Sequence, residues 1–545
     1  MRRTHRTTAR IISAVTLAAA MAGAALVSSG VTGSQAAAPP APITDTRGPG
    51  GINLDTTTIP QLQQAMNAGR LTSRQLTTYY LNRIRRLNPE LHAVVTTNPA
   101  ALSEAAASDR ARRANHLRSK LDGIPVLLKD NVGTHDAEAT TAGSLALARA
   151  RPSSDAFLVT KLRKAGAIIL GKANLSEWAN FRSTQSSSGW SAVGGQTNSP
   201  YALDRNPCGS SAGSAAAAAA DLATVAIGTE TDGSIVCPSG ANGDVGIKPT
   251  LGLLSRTGIV PISAEQDTAG PIARNATDAA VTLGVLTGVD RADPATAASR
   301  GHSYADYSRF LRAGSLKGVR LGVWKSCCAG VSNETDAILA RTATRLHQLG
   351  ATTVTVDLPY QSTIGANETT ALNVEFKHDI NAYLAKLGGR HPADLAGLIA
   401  FDRAHAAREM PYFGQEVFLA AQATSGSLAD PGYQKARRTA TGLARRSIDE
   451  TMAKYHLDAI VAPTNSPAWT TDLTNGDHFL LASSGPAAVA GYPDVTAPMG
   501  YADELPVGLS FMASRWQEPK LIGLAYSFEQ GTHVRHAPKF LASTP

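Results

Sequence analysis

The sequence predicts an α/β fold, in which helices alternate with buried strands. Gly123–Asp130 contains a short apolar run between turn-forming residues, which is typical of a strand buried on both faces. A second run of this kind, Ala167–Leu170, follows a stretch with helical spacing, Phe157–Ala165. The chain has 545 residues, which is enough to bury a large core without disulfide bonds.

Composition and charge indicate a globular protein. Apolar residues make up 43% of the chain and charged residues 17%, which suits neither a disordered nor a membrane protein. The formal net charge is +8, and half of it comes from four arginines within residues 1–36, which contain no acidic residue. The chain has no long run of lysine and arginine and no basic stripe with interleaved aromatic residues. We therefore expect no nucleic-acid partner.

The N-terminal residues, 1–36, predict a signal peptide. A basic stretch precedes an apolar run, Ile11–Val27, and small residues follow it as far as Ala36. A membrane anchor is the alternative, but the run is rich in Ala and Gly and barely long enough to span a bilayer. We expect cleavage, secretion to the extracellular space and no membrane association afterwards. Residues 37–52, rich in Pro and Gly, predict a flexible tail, and residues 53–545 predict a single domain.

A helix is predicted to begin at Thr72 and to end at Pro89, because apolar residues recur at helical spacing between them. Three arginines lie off the apolar stripe of this helix: Arg83, Arg85 and Arg86. We expect them on a solvated face.

The later part of the chain continues the alternation of helix and strand. The Ala-rich segment Ser214–Ala223 predicts a helix, and Thr224–Ile227 predicts a strand. Residues 290–480 carry more charges and helical patterns, including Thr335–Leu349, and predict a helical insertion on the substrate side of the domain. Within it, Met410–Gln415 is either a wall of the substrate site or buried core. Further strands are predicted at Gly318–Val323, Thr353–Val356, Ala459–Val461 and Val507–Phe511.

Two loops rich in Gly and Ser are candidate parts of an active site: Cys208–Ser214 and Gly228–Ile235. The first loop opens the Ala-rich helix and the second follows a strand, and both positions present free backbone N–H groups. Such groups stabilise a developing oxyanion. Serines beside them are candidate nucleophiles, provided that a base activates the hydroxyl.

No histidine lies near either loop, so the candidate base is a lysine. Lys129 ends the first apolar run, where burial would lower its pKa and leave the amine neutral. The alternative is an ordinary lysine whose stem leaves the core and whose ammonium reaches solvent.

The loops and Lys129 resemble the amidase signature family, whose pattern has a lysine after a buried strand, a Gly-Ser-Ser-x-Gly loop and a Gly-Ser-Ile loop. Val245–Thr250 and Asp267–Pro271 are also similar to that family, and the resemblance extends from about residue 55 to residue 540. It implies a large mixed central β-sheet covered by helices on both faces. It also implies an amidase that cleaves a carboxamide through an acyl-enzyme. Since no metal-binding motif is present, we expect no metal or other cofactor.

Carried over residue by residue, the resemblance implies a triad of Ser234, Ser210 and Lys129. Ser234 would be the nucleophile, Ser210 would follow a cis peptide bond and relay the proton, and Lys129 would be the base. The oxyanion hole would consist of the backbone N–H groups of Thr231, Asp232, Gly233 and Ser234. Asp232 and Cys208 stand where many members have glycine.

Five segments resemble the peptide amidase branch of the family, which removes the C-terminal amide of peptides: Cys208–Ser211, Thr231–Pro238, Asn174–Phe181, Gly189–Ser191 and Val489–Pro493. The implied substrate is a peptide or small-molecule amide, and ammonia is one product. Aryl, fatty or small amides are the alternative substrates. The oligomeric state is not predicted.

Three other functions are weighed against an amidase. Gly209–Gly213 matches the nucleophile elbow of esterases with Ser211 as nucleophile, but prolines precede it where a strand is needed. A catalytically inactive secreted binding protein would lack a triad member, and all three are present. Export argues against an amidotransferase component.

Gly166–Lys172 resembles a phosphate-binding loop, but Ala173 replaces the hydroxyl residue, so we expect a strand end.

The chain has four cysteines. If the two triad serines touch, Cys208 and Cys237 must be close, as a disulfide or as two buried thiols. Cys327 and Cys328 are adjacent, and since a bond between neighbours is strained, we expect free thiols there.

Overall fold

Eleven strands form one central sheet in the computed structural model, which describes residues 44–545. The predicted signal peptide lies outside the described residues. The strands of the described residues are β1 Val94–Thr97, β2 Pro125–Lys129, β3 Arg149–Arg151, β4 Ile168–Ala173, β5 Trp190–Ser191, β6 Gly195–Gln196, β7 Val225–Glu230, β8 Val245–Lys248, β9 Thr268–Ala273, β10 Arg320–Trp324, β11 Thr352–Val356, β12 Gly388–Arg390, β13 Ala459–Pro463, β14 Asp494–Ala502 and β15 Leu505–Met512.

The central sheet is mixed, with the order β1-β4-β2-β7-β9-β8-β14-β15-β13-β10-β11. Strands β4, β2 and β7 run parallel to one another, as do β13, β10 and β11. Antiparallel pairs connect the two parallel groups through β9, β8, β14 and β15. The α/β fold with a large mixed sheet is therefore confirmed. Two small sheets pair β3 with β12 and β5 with β6.

Helices cover both faces of the sheet. Every residue of β2, β4 and β7 is buried, and because successive side chains of a strand point to opposite faces, neither face is open to solvent. The helices are α1 Ile59–Asn67, α2 Ser73–Leu91, α3 Ala101–Arg113, α4 Phe157–Lys164, α5 Ala212–Ala219, α6 Val236–Ala241, α7 Ala276–Leu286, α8 Asn333–Gln348, α9 Gln361–Leu384, α10 Leu395–Ala404, α11 Ala406–Glu409, α12 Glu416–Ala423, α13 Pro431–Tyr455, α14 Gly485–Ala490 and α15 Glu518–Thr532.

Helix α2 ends later than predicted. Its start agrees, since the Thr72 side chain accepts a hydrogen bond from the Gln75 N–H, but the helix continues past Pro89 to Leu91. Proline has no backbone N–H, so near the end of a helix it removes a single hydrogen bond without ending the helix. The helix ends instead at His92, which adopts a left-handed conformation with φ 48°.

Arg83 does not lie on the solvated face that was predicted for it. Its side chain is buried, and its guanidinium donates to the carbonyl groups of Ala220 at 2.9 Å and Asp45 at 3.1 Å. Arg85 and Arg86 are exposed, as predicted. Asp45 belongs to the segment predicted as a flexible tail, so the described part of that tail contacts the domain.

The second half of the chain contributes to the sheet as well as to the helical layers. The predicted strands are present as β10, β11, β13 and β15, and the first three of them form one end of the central sheet. Residues 290–480 therefore supply sheet strands in addition to helices α8 to α13. Within residues 44–545, no helix is both long and apolar enough to span a bilayer.

Candidate active site

Strand β2 places Lys129 in the interior, where its side chain is 0% exposed. The Lys129 Nζ donates to Ser210 Oγ at 2.7 Å, and to the Oγ1 and carbonyl oxygen of Thr229 at 3.0 and 3.1 Å. Burial lowers the pKa of Lys129 to about 7, although the charges of Glu230 and Asp267 act in the opposite direction. Lys129 is therefore not a lysine that reaches solvent, and near neutral pH much of its amine is uncharged.

Ser210 lies in the loop that opens helix α5, after a cis peptide bond to Gly209. Its side chain is fully buried, and its carbonyl oxygen accepts a hydrogen bond from the Ser176 N–H at 3.1 Å. Gly213 lets this loop approach its neighbours, because a Cβ there would lie 2.3 Å from the carbonyl oxygen of Ala93. Close backbone packing therefore holds Ser210 beside Lys129.

Ser234 follows β7 in a turn that contacts the Ser210 loop. The Ser211 N–H donates to the Ser234 carbonyl at 3.1 Å. The Ser234 hydroxyl has no hydrogen-bond partner among the described residues and lines a cleft of about 370 Å³, called here the serine cleft. In contrast, the buried Ser211 hydroxyl is bonded to both the N–H and the carbonyl of Thr229. Ser234 is thus free to react, whereas Ser211, the nucleophile of the esterase alternative, is engaged in structure.

The turn from Thr231 to Ser234 presents consecutive backbone N–H groups that donate to no group in the described part of the chain. Side chains hold this turn, since the Thr231 hydroxyl donates to Asp267 at 2.6 Å and the Gln266 amide donates to the Thr231 carbonyl at 3.0 Å. Gly233 adopts a left-handed conformation with φ 78°. Unpaired N–H groups beside a free serine hydroxyl can bind an oxyanion.

A buried carboxylate supports the other end of the turn. Oε2 of Glu230 accepts hydrogen bonds from the N–H groups of Ile235 at 2.7 Å and Val236 at 3.0 Å. These groups stand at the start of α6, where a negative charge is favourable. Glu230 therefore ties the end of β7 to the helix that follows Ser234.

Both cysteine pairs form disulfides. Cys208 and Cys237 are joined with their Cα atoms 6.0 Å apart, and this bond links the Ser210 loop to α6. The expectation of free thiols at Cys327 and Cys328 is wrong, because these neighbours are also joined. They lie in a turn after β10, with their Cα atoms 3.7 Å apart.

Sequence reasoning missed Thr229 and Asn131, which complete the surroundings of the amine. Thr229 bonds to Lys129 through two oxygens, and the Asn131 amide donates to the Thr229 Oγ1 at 2.9 Å. No signal in the sequence singled out Thr229, because the parallel pairing of β2 with β7, which places the ends of the two strands side by side, is visible only in the structure.

A buried ion pair near the site was also missed. Glu177 and Arg182 are both 0% exposed and lie 2.9 Å apart, and the Arg182 guanidinium stacks 4.4 Å from the Phe413 ring. Phe413 belongs to Met410–Gln415, and no residue of that segment lines the serine cleft. Phe413 and Gln415 are buried, whereas Pro411, Tyr412 and Gly414 are exposed, so the segment is neither a wall of the serine cleft nor wholly part of the core.

Lys172 does not belong to a phosphate-binding loop. It lies in β4, is buried, and donates to the Val132 carbonyl and to the Thr140 hydroxyl. Within residues 44–545, no cluster of three or more His, Cys, Asp or Glu side chains is arranged to hold a metal ion.

Comparison with known proteins identifies relatives along most of the chain. The family model described as Amidase matches residues 75–522. A relative from Arabidopsis thaliana, named "Probable amidase", is 41% identical over 90% of this chain and 93% of its own length. A component of the glutamyl-tRNA(Gln) amidotransferase from Acinetobacter baumannii is 33% identical over 89% of this chain and 98% of its own.

Solved structures of amidases are also similar to this chain. A native peptide amidase from Stenotrophomonas maltophilia is 50% identical, with a TM-score of 0.83 over 89% of this chain and 99% of that one. A peptide amidase in complex with the competitive inhibitor chymostatin is also 50% identical, with a TM-score of 0.85 over the same shares. Because the family model, the sequence relatives and the fold agree, this chain belongs to the amidase signature family and is an amidase.

Proposed function

We propose that this amidase hydrolyses the C-terminal carboxamide of peptides, with Ser234 as nucleophile, Ser210 as proton relay and Lys129 as base. The observation that carries the proposal is the 2.7 Å hydrogen bond from the buried Lys129 Nζ to Ser210 Oγ. The Ser210 loop also contacts the turn of Ser234, since the Ser211 N–H donates to the Ser234 carbonyl at 3.1 Å. A neutral amine in this position can accept a proton, which an ammonium cannot.

The reaction proceeds in two halves. Lys129 takes the proton of Ser210 as Ser210 takes that of Ser234, and the Ser234 Oγ attacks the amide carbon. Backbone N–H groups of the turn from Thr231 to Ser234 bind the resulting oxyanion. The proton then returns from Lys129 through Ser210 to the leaving nitrogen, the C–N bond breaks, and ammonia departs. Water attacks the acyl-enzyme by the same proton path and releases the free acid.

The size of the site supports a peptide as substrate. The serine cleft shares Asp232, Ala482 and Ser484 with a second cavity of about 620 Å³, called here the outer cavity. An acyl group bound at Ser234 can therefore continue beyond one residue. The 50% identity to peptide amidases points to the same substrate class.

Ammonia release from peptide amides by the purified mature protein tests this function. Replacing the nucleophile, Ser234→Ala, should lower kcat by at least about 10³-fold, because no other group attacks the carbonyl. Lys129→Ala should cause a loss of similar size. The exposed Ser425→Ala is the control and should keep the wild-type rate. Near-normal turnover by Ser234→Ala would end the assignment.

We also propose that the protein is secreted after removal of residues 1–36. The basic and apolar order of that segment supports export, and the Cys208–Cys237 disulfide suits an oxidising compartment. Expression of the full chain in a secreting bacterial host should give an extracellular protein that begins at Ala37. Intact mass and N-terminal sequencing measure this, and full-length protein retained in the cells would contradict it.

A further inference from the structure

We propose that the side chain of Asp232 determines substrate specificity by accepting a hydrogen bond from the substrate nitrogen that is bonded to the Cα atom beside the scissile carbonyl. That nitrogen is the α-N–H, or the α-ammonium, of the residue that carries the amide. The inference rests on the proposed function and narrows its substrates to amides of amino acids and peptides, as opposed to simple acyl amides.

Asp232 is placed by the same turn that offers its N–H groups to the oxyanion. It stands two residues before Ser234 and lines both the serine cleft and the outer cavity. The Ser484 hydroxyl donates to its Oδ1 at 2.5 Å. Its Oδ2 has no hydrogen-bond partner among the described residues. One oxygen is therefore held in position, and the other is available to a ligand.

The other two carboxylates that line these cavities are in different situations. In the serine cleft, Asp477 accepts hydrogen bonds from the N–H of Ser188 at 2.9 Å and from its hydroxyl at 2.5 Å, so both oxygens are used. In the outer cavity, Asp357 accepts from the Ser326 hydroxyl and does not line the serine cleft. Of these three described carboxylates, Asp232 alone combines an available oxygen with a place in the serine cleft two residues from Ser234.

The charge of the cavities favours a nitrogen donor. Among the residues that line them, Asp232, Asp357 and Asp477 are acidic and none is Lys, Arg or His. A site with this sign attracts an ammonium or a polarised N–H and repels a carboxylate. Burial raises the pKa of Asp232, and a nitrogen donor bound at Oδ2 favours its ionised form.

The chemistry of an amino-acid amide matches this position. Its α-nitrogen lies two bonds from the carbonyl carbon. When the carbonyl oxygen rests on the N–H groups of the turn, the α-nitrogen lies within reach of a side chain that projects from the same turn. The remainder of a peptide then passes Asp232 into the outer cavity.

The test uses two substrates that differ in one position: N-acetylalanine amide and its α-oxygen analogue, 2-acetoxypropanamide. The measured quantity is the ratio of kcat/KM for the first substrate to that for the second. Asp232→Ala should lower this ratio about 10- to 100-fold, as the loss of a hydrogen bond to a charged group predicts. Asp357→Ala, which removes an acid of the outer cavity, should keep the wild-type ratio. An equal loss of both activities in Asp232→Ala, or an unchanged ratio, would overturn the proposal.

Binding separates this inference from the proposed function. In a Ser234→Ala background, calorimetry measures the Kd of both amides with and without Asp232→Ala, and the same loss of preference for the N–H ligand is expected. If the wild type releases no ammonia but this preference persists, the proposed function is wrong and the role of Asp232 stands. If ammonia is released and the preference does not depend on Asp232, only the role of Asp232 is wrong.

Discussion

Lys129 suits the proposed role of base because burial lowers its pKa to about 7. The bonding partners of Lys129 are two hydroxyls and a carbonyl, which can bond to an amine as well as to an ammonium. Lys172, in the neighbouring strand, is also buried, and burial lowers its pKa to about 8 while the nearby charge of Asp130 raises it. Lys172 also bonds to uncharged oxygens, those of Val132 and Thr140, so burial is the main cause that lowers the pKa of both lysines.

The pH dependence of the reaction should follow the lysine. Since the pKa of Lys129 is lowered to about 7 and the neutral form is the base, kcat/KM should rise as the pH increases through 7 and level off at about pH 8. The measurement is a pH–rate profile with a peptide amide. Lys129→Arg keeps a charge at all these pH values and should be inactive throughout. Full activity below about pH 5 would exclude a neutral lysine as the base.

At the scale of secondary structure, the site is assembled where β2 and β7 end. The two strands are parallel neighbours, so Lys129 and the turn after Glu230 reach the same edge of the sheet. The loop before α5 completes the site, and the Cys208–Cys237 disulfide links that loop to α6. Each reactive group therefore follows a rigid element, which is how a sheet scaffold positions a catalytic site.

Gly270 in β9 shows how tightly these elements pack. A Cβ at this position would lie 1.9 Å from the carbonyl oxygen of Ile247 in β8. Because a backbone oxygen in the core cannot move aside, Gly270→Ala should destabilise the fold by about 1–3 kcal/mol and lower the Tm. Gly365→Ala, in helix α9 with no atom within 4 Å, is the matched control and should be neutral or stabilising. Equal Tm values for the two variants would contradict this packing.

At the scale of the whole molecule, the two ends of the described chain are connected through buried charges. The Arg535 guanidinium, after α15, makes two hydrogen bonds to the carboxylate of Asp55, before α1, at 2.8 and 3.1 Å. Arg274 pairs with Asp221 at 3.2 Å and donates to the carbonyl of Leu54. Segments almost 500 residues apart thus share one network, in which each charge depends on its partner.

Removing one member of this network should weaken the whole fold. Asp55→Ala leaves the Arg535 guanidinium without its partner and should cost about 3 kcal/mol, measured by denaturant unfolding at pH 7. Burial raises the pKa of Asp55, but the charge and hydrogen bonds of Arg535 outweigh it and hold that pKa below its usual value. The contribution is therefore present at neutral pH and is lost in acid, so wild type and variant should converge at low pH.

The exposed pair of Arg446 and Glu450 provides the control, because solvent screens its charges. Glu450→Ala should change the free energy of unfolding by less than about 1 kcal/mol. A similar value for Asp55→Ala would show that the chain ends do not depend on their ion pair.

Local sequence patterns predicted the alternation of helices and strands and the two Gly/Ser loops, whereas the triad of Lys129, Ser210 and Ser234 was implied by the family resemblance and stays a prediction. The predicted helices, strands and loops are local features, because periodic apolar residues and turn residues depend only on residues nearby in the sequence. The family resemblance extended them to the mixed sheet, which spacing within the chain did not indicate.

Local patterns could not predict which of these groups are free and which are hydrogen-bonded. Ser211 is bonded to Thr229 while the Ser234 hydroxyl is open, Arg83 is buried although its helix position predicts exposure, and one oxygen of Asp232 has no hydrogen-bond partner among the described residues. Each outcome depends on partners that are distant in the chain. Burial and hydrogen bonding are properties of those contacts, and they come into existence only when the chain has folded.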